Sequence, residues 1–310
     1  LNYITPNQGM ALPSDVKETP LLKVLNMDRL NYNNDPEAGG DGFFDFIPGL
    51  TVDQQSGRII FTTVEPFGRH LFEKLRTNSG EDYFEDALND MRQLSQIIQK
   101  EHPKNKIILF GHSMGSFLSR AYVIKFGKDV KILILSGTGS FMKGLGAFGI
   151  LSAKFFTKMN GKHKSNELLK NLFFTQFNKA FKPNRTSVDW ISSDEKQVDL
   201  FEADPLRIED FSLSIFLDIL QATKKINEFD AFLETPKNIP MYLFSGDQDP
   251  VGEMGKGVVK VAENYKKAGI KDLTLKLYKN GRHEMLNEIN KIEVETDLLN
   301  WLNQKVTANK

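Results

Sequence analysis

The chain has 310 residues, 40% of them hydrophobic, which is material for one large α/β domain or two smaller ones. Forty basic and forty acidic residues cancel, so no global field favours nucleic acid or an anionic membrane. Cysteine is absent, which excludes disulfides, thiolate metal ligands and a cysteine nucleophile together.

Leu1-Asn2-Tyr3 carries no basic stretch followed by an apolar core, so no signal peptide is expected. No apolar run reaches the roughly 18 residues that span a bilayer, and the expectation is a soluble, cytoplasmic protein. Residues 1–57 are rich in Asn, Asp, Pro and Gly, with little helical periodicity, and Asn31–Gly42 reads as loop by every turn signal. Asp35, Asp41 and Asp45 have a spacing that invites calcium, but the bidentate Glu of an EF-hand loop is lacking, and turn aspartates account for them. No metal or other cofactor is expected. Arg58–Val64 reads as a strand and Arg69–Leu75 as a short helix.

From Tyr83 the pattern becomes regular. Phe84, Ala87, Leu88, Met91, Leu94, Ile97 and Ile98 recur at three- and four-residue steps, the signature of an amphipathic helix. An apolar run, Ile107–Phe110, then enters Gly111-His112-Ser113-Met114-Gly115, and a helix to about Phe126 follows. Strand, Gly-x-Ser-x-Gly turn and helix are the context of a nucleophile elbow. Strand and helix can approach closely there because Gly111 and Gly115 are small.

Ile132–Leu135, closed by Ser136-Gly137, reads as a buried parallel strand, as does Met241–Phe244 closed by Ser245-Gly246. Leu273–Tyr278 is a further strand and Ile292–Leu302 an amphipathic helix. Alternating strands and helices predict an α/β fold, a mostly parallel sheet with helices on both faces. Between Phe141 and Asn227 the alternation stops. Phe148, Phe155, Phe156, Phe173, Phe174, Phe177, Phe181, Phe201, Phe211 and Phe216 fall in helix-like segments there. One such residue is most simply core of the insertion; collectively they predict a mobile helical cap over a site for an apolar group. The expected organisation is a loop-rich segment 1–81, a core of 82–140 and 228–310, and a cap of 141–227.

A serine hydroxyl is a weak nucleophile and needs a base, which in turn needs an orienting acid. Behind Ser113, the strand ending at Phe244 runs into Gly246-Asp247-Gln248-Asp249-Pro250. Behind that, the strand ending at Tyr278 runs into Gly281-Arg282-His283-Glu284. Of five histidines, His112 lies in the elbow, His102 beside Pro103, His163 in a Lys-rich loop and His70 in the atypical N-terminal part. Only His283 follows a strand behind the acid, which predicts it as the base. Asp249 fits the acid, with Asp247 as the alternate that would otherwise cap the turn.

Gly111–Ser116, Ser245–Gly252 and Gly281–Glu288 together resemble bacterial α/β-hydrolases of the serine aminopeptidase group, nearest the monoacylglycerol-lipase and lysophospholipase-like branch. Trp190–Glu195 and Ala203–Leu206 are similar to the cap of that branch. The likeness covers about residues 82–308. It implies Ser113 as nucleophile, Asp249 as acid, His283 as base, and the Met114 N–H as one oxyanion donor. It also implies a small-molecule acyl ester or lipid substrate, no nucleic acid, and at most peripheral membrane contact through the cap.

That family normally opens with several strands, a His-Gly motif whose loop gives the second oxyanion donor, and an Asp-x-Arg-Gly-x-Gly-x-Ser stretch. Neither motif is present here. Pro66-Phe67-Gly68 can take the oxyanion-loop position, with Phe67 as the second donor. Alternatively, Leu25–Asn31, Asp41–Gly49 and Ser56–Gly68 resemble a segment of the outer-membrane translocon of type IX secretion, the gliding-motility SprA family, over about residues 20–80. The chain then reads as a fusion, joined near residues 77–83, with the opening strands of the hydrolase missing or replaced. One side of the Ser113 strand would be bare, and loss of an oxyanion donor typically costs about 10²–10³ in kcat.

The first expectation is therefore a serine esterase. A proline-type aminopeptidase would need a cap carboxylate for the substrate amine, from Glu195, Glu202 or Glu209. A dehalogenase or epoxide hydrolase would need Asp at position 113. The non-enzyme alternative is a catalytically silent fusion.

Overall fold

Side-chain alternation along each strand decides which helices cover which face of the sheet. In the computed structural model, which describes residues 51–53, 58–62, 83–101, 103, 106–161, 175–204 and 212–307, six strands form one sheet among the described residues. They are β1 (Thr51–Asp53), β2 (Arg58–Thr62), β3 (Ile107–His112), β4 (Val130–Ser136), β5 (Met241–Gly246) and β6 (Leu273–Tyr278), ordered β1-β2-β3-β4-β5-β6. The β1–β2 pair is antiparallel and every other pair is parallel. β1 carries no signal in the sequence reading.

Leu109, Leu133, Leu135, Met241 and Leu243 point to one face, where α1 (Tyr83–Glu101), α2 (Met114–Phe126) and α7 (Lys256–Lys267) complete a core through Leu88, Tyr122 and Tyr265. The residues between them, Ile108, Phe110, Ile132, Ile134, Tyr242 and Phe244, point to the other face and meet Val294, Trp301 and Leu302 of α8 (Lys291–Thr307). Strands buried on both faces read as unbroken apolar runs rather than as alternation, as the β4 and β5 sequences do.

The α1 periodicity holds at six of its seven positions. Phe84, Ala87, Leu88, Met91, Leu94 and Ile98 are buried, whereas Ile97 is 47% exposed because Leu94 and Ile98 already fill the turn that faces the core. The N-terminal position of α8 departs in the same way, with Ile292 in solvent.

Over Ile107–Phe110 the Ser113 strand has partners on both sides: Ile59–Thr62 of β2, and β4 from Val130 onward. The calls on Asp35, Asp41, Asp45, Phe67, the Arg69–Leu75 helix and the 20–80 likeness lie outside the described residues or are not settled by backbone pairing.

Beyond β4 come α3 (Lys143–Asn160), α4 (Glu195–Ala203), α5 (Leu213–Ile226) and α6 (Phe229–Glu234). Phe156 of α3 packs with Leu213, Phe216 and Leu217 of α5 around Ala153. Phe177, Phe181 and Phe201 gather around Trp190, Ile191 and Val198. These phenylalanines fill the insertion's own interior. Phe148 and Phe155 do not: they lie 53% and 59% exposed on α3, with Leu151 and Met159 on the same stripe. Phe173, Phe174 and Phe211 lie outside the described residues.

Candidate active site

In a parallel sheet the loops leaving the strand C-termini converge on one edge, and β3, β5 and β6 release Ser113, Asp249 and His283 there. Ser113 has φ 51° and ψ −122°, a left-handed conformation that a serine adopts only where the surroundings impose it. The turn is fixed by the Ser113 N–H, which donates to Ser136 O at 3.0 Å. The Ser116 N–H and hydroxyl fix it further, donating to Ser113 O at 2.9 and 2.6 Å. A Cβ on Gly111 would stand 2.3 Å from Gly115 O and 2.4 Å from Ser119 Oγ, so strand and helix could not meet with any larger residue there. Met114 is the first residue of α2, so its N–H lacks an intrahelical acceptor, as any first-turn N–H does.

Asp249 and His283 form a buried pair. The imidazole Nδ1 lies 3.0 Å from Asp249 Oδ1, and neither side chain is exposed beyond 3%. The carboxylate also accepts the Ser245 hydroxyl at 2.7 Å and the Val251 N–H at 2.9 Å. Burial alone would raise the Asp249 pKa. The charge and hydrogen bond of His283, with the Ser245 and Val251 donors, outweigh burial and hold the carboxyl below the usual range. Burial alone would lower His283; the Asp249 charge and hydrogen bond overcome it and raise the imidazole. With Nδ1 engaged by the carboxylate, Nε2 remains buried and, among the described residues, without a hydrogen-bond partner.

Asp247, the alternate acid, instead accepts the Asn280 N–H at 2.7 Å and caps that turn. His112 lies against His283, ring centroids 4.8 Å apart, with its own Nδ1 3.1 Å from Ser136 Oγ. Burial, then the His283 charge, lowers its pKa to about 3, so it is a neutral imidazole. His70, His102 and His163 lie outside the described residues.

The sequence assigns no role to four contributors, although three of them, Ser245, Trp190 and Glu288, lie in motifs that carry the resemblance. In the sequence Ser245 closes a strand and opens the Ser245–Gly252 motif, with no role assigned to it. Gly137 has φ +58°, and a Cβ there would come within 2.9 Å of the His283 ring; it makes room for the two imidazoles. Trp190 places its ring 5.0 Å from that of His283, backed by Phe177 at 5.1 Å. Glu288 ties the loop after His283 to the cap. Only their place in known motifs could have drawn attention to them.

Glu195 and Glu202 are both exposed, Glu202 bonded to Ser187 Oγ at 2.9 Å, and Glu209 lies outside the described residues. Among the described residues no cluster of His, Asp and Glu could hold a metal ion, and no helix is long and apolar enough to cross a membrane.

Residues 76–290 match the family model described as serine aminopeptidase, S33. No curated protein matches the chain. Among solved structures, a thermostable carboxyl esterase from Bacillus coagulans in complex with glycerol superposes with TM-score 0.69 at 23% identity, over 80% of this chain and 89% of that one. A monoacylglycerol lipase from Paleococcus ferrophilus gives 0.54 at 17%, covering 72% and 76%. A soluble variant of the Saccharomyces cerevisiae monoglyceride lipase with a substrate analogue gives 0.56 at 19%, covering 74% and 72%.

Proposed function

Because the chain belongs to the serine aminopeptidase S33 family, and its sheet is that of the α/β-hydrolases, we propose that it is a serine hydrolase. It cleaves carboxylic esters of monoacylglycerol or lysophospholipid type through an acyl-enzyme. The observation that carries this reading is the buried Asp249–His283 pair, whose Nε2 is unengaged, at the sheet edge where Ser113 sits on a strained strand-to-helix turn.

Ser113 Oγ attacks the ester carbonyl carbon while its proton passes to His283 Nε2. Asp249 stabilises the imidazolium that results. The carbonyl oxygen becomes an alkoxide, and the Met114 N–H at the positive end of α2 donates to it. The intermediate collapses, the C–O bond to the alcohol breaks, and His283 returns the proton to the leaving oxygen. Water, deprotonated by the same imidazole, then splits the acyl-enzyme to carboxylate and free serine. Phe67 is our candidate for the second donor. β2 ends at Thr62 beside Phe110, three residues before Ser113 on the neighbouring strand.

We read residues 82–140 and 228–310 as the catalytic core and 141–227 as the cap. The exposed stripe Phe148, Leu151, Phe155 and Met159, flanked by Lys154 and Lys158 on a helix without acidic residues, supports an apolar ester presented at a lipid surface. Fluorophosphonate labelling tests the whole reading: the folded chain is expected to label, and Ser113→Ala to lose the label. A folded wild type that does not label overturns it.

A further inference from the structure

The cap segment that covers the base is stitched to the loop that carries it. Arg282 Nη1 donates to the carbonyls of Asp189 and Ser192, the latter at 2.8 Å, and its guanidinium lies over Phe181 at 4.3 Å. The Glu284 N–H donates to Ile191 O at 2.7 Å, and the Ser192 hydroxyl to Asn287 O at 2.9 Å. Glu288 joins the two strings. Its Oε1 accepts the Ser193 N–H at 2.9 Å and the Arg282 N–H at 2.8 Å, while Oε2 accepts the Ser193 hydroxyl and the Ile289 N–H. Glu288 is 1% exposed. A carboxylate so deeply buried is retained only where several donors replace its water, and charge-assisted hydrogen bonds of this kind are the strong ones.

We propose that Glu288 is a positioning residue for the base: it binds cap segment Asp189–Ser193 and loop Arg282–Glu288 into one unit, so that Trp190 is a fixed wall over His283 and not part of a lid. This rests on the reading of His283 as the base. The consequence is specific. Any outward movement of Trp190 drags the imidazole off Asp249, so the cap cannot open at this rim without disarming the site. The alcohol that leaves from His283 Nε2 is then packed against a rigid indole.

The charged and titratable groups facing His283 are Asp249 from the turn after β5, His112 from the end of β3, and Glu284 of its own loop; the cap contributes the uncharged Trp190. Three readouts follow in a Trp301→Phe background, where Trp190 is the sole tryptophan. They are acrylamide quenching of Trp190, the NMR titration of the His283 Cε1–H, and kcat and KM on a soluble acetyl ester. Glu288→Ala is expected to raise quenching, to move the His283 titration down, and to lower kcat by about 10–100-fold with KM nearly unchanged, the loss typical of a small misplacement of catalytic groups. Glu288→Gln, whose amide oxygen still accepts the Ser193 and Arg282 N–H groups, restores most of kcat. Ser193→Ala removes one donor from the carboxylate and moves all three readouts less but in the same direction, including where Glu288→Ala fails to fold. A folded Glu288→Ala or Ser193→Ala variant with quenching raised but titration and kcat unmoved, or with all three unmoved, overturns the proposal. Quenching and titration require no turnover. A wild type that resists fluorophosphonate therefore refutes the hydrolase reading and the role of His283 as base with it, while quenching and titration still report whether Glu288 fixes Trp190 over His283.

Discussion

Asp249→Asn separates the charge of the acid from its geometry, because the site can accommodate the amide without losing a hydrogen bond. The side chain can present its oxygen to the Val251 N–H and His283 Nδ1–H, as Oδ1 does now, and its NH₂ to Ser245 Oγ, which rotates from donor to acceptor. The tautomer of His283 is then preserved and only the countercharge disappears. With charge centres about 4 Å apart, the Coulomb attraction between carboxylate and imidazolium amounts to about 4 kcal/mol at an effective dielectric of about 20. That corresponds to about 10³ in kcat/KM.

The same loss lets the raised His283 pKa fall. Because activity requires neutral imidazole, the acidic limb of kcat/KM moves to lower pH in the variant. The assay is a pH series on a p-nitrophenyl ester, with Asp247→Asn as the matched control. That control keeps an acceptor for the Asn280 N–H and is expected to stay within about twofold of wild type. An Asp249→Asn loss below tenfold, an acidic limb that stays in place, or an equal loss in Asp247→Asn would refute the assignment of the acid.

Ser245→Ala removes one of the donors that hold Asp249 charged and is expected to lower stability by about 1.5–3 kcal/mol in urea unfolding. His112 has a native pKa of about 3 against an unfolded value of about 6.5, so the unfolded chain binds its proton first as pH falls. Its contribution is whole above pH 6.5 and is lost downward at about 1.4 kcal/mol per unit; His112→Gln flattens the slope of stability with pH over that window. Leu243→Ala, at a fully buried position in the middle of the sheet, is expected to cost about 2–5 kcal/mol, read as a lower denaturation midpoint. Leu151→Ser with Phe155→Ser leaves hydrolysis of a monomeric ester unchanged and slows that of the same acyl chain in anionic vesicles; equal slowing in both media would rule out the α3 stripe as a lipid-facing surface.

Strands and elbow were legible because their signals are local. A buried parallel strand is a short apolar run, and the strand–glycine–serine–glycine–helix sequence admits few other backbones. The order of Ser113, Asp249 and His283 added topology to pattern. What escaped was long-range and polar. Nothing in the neighbourhood of Glu288 marks it as the acceptor of Ser193, 95 positions away, and Gly137 looks like any strand-closing glycine until two imidazoles are set beside it. Helix periodicity likewise names a face without naming its cover: it counted Phe148 and Phe155 with the other aromatics of the insertion, although they are the ones turned to solvent.

Two imidazoles 4.8 Å apart in a buried pocket cannot both be charged, and their surroundings decide which one carries a proton. His112 is fully buried, with the Ser136 hydroxyl at its Nδ1, and desolvation dominates and keeps it neutral. His283 is equally buried, but it has a carboxylate that itself collects donors from Ser245 and Val251, and attraction prevails. A proton taken up by the pocket on acidification therefore goes first to His283, the histidine whose second nitrogen is unengaged. In the proposed mechanism a neutral His112 leaves no second cation beside His283 to oppose proton transfer from Ser113.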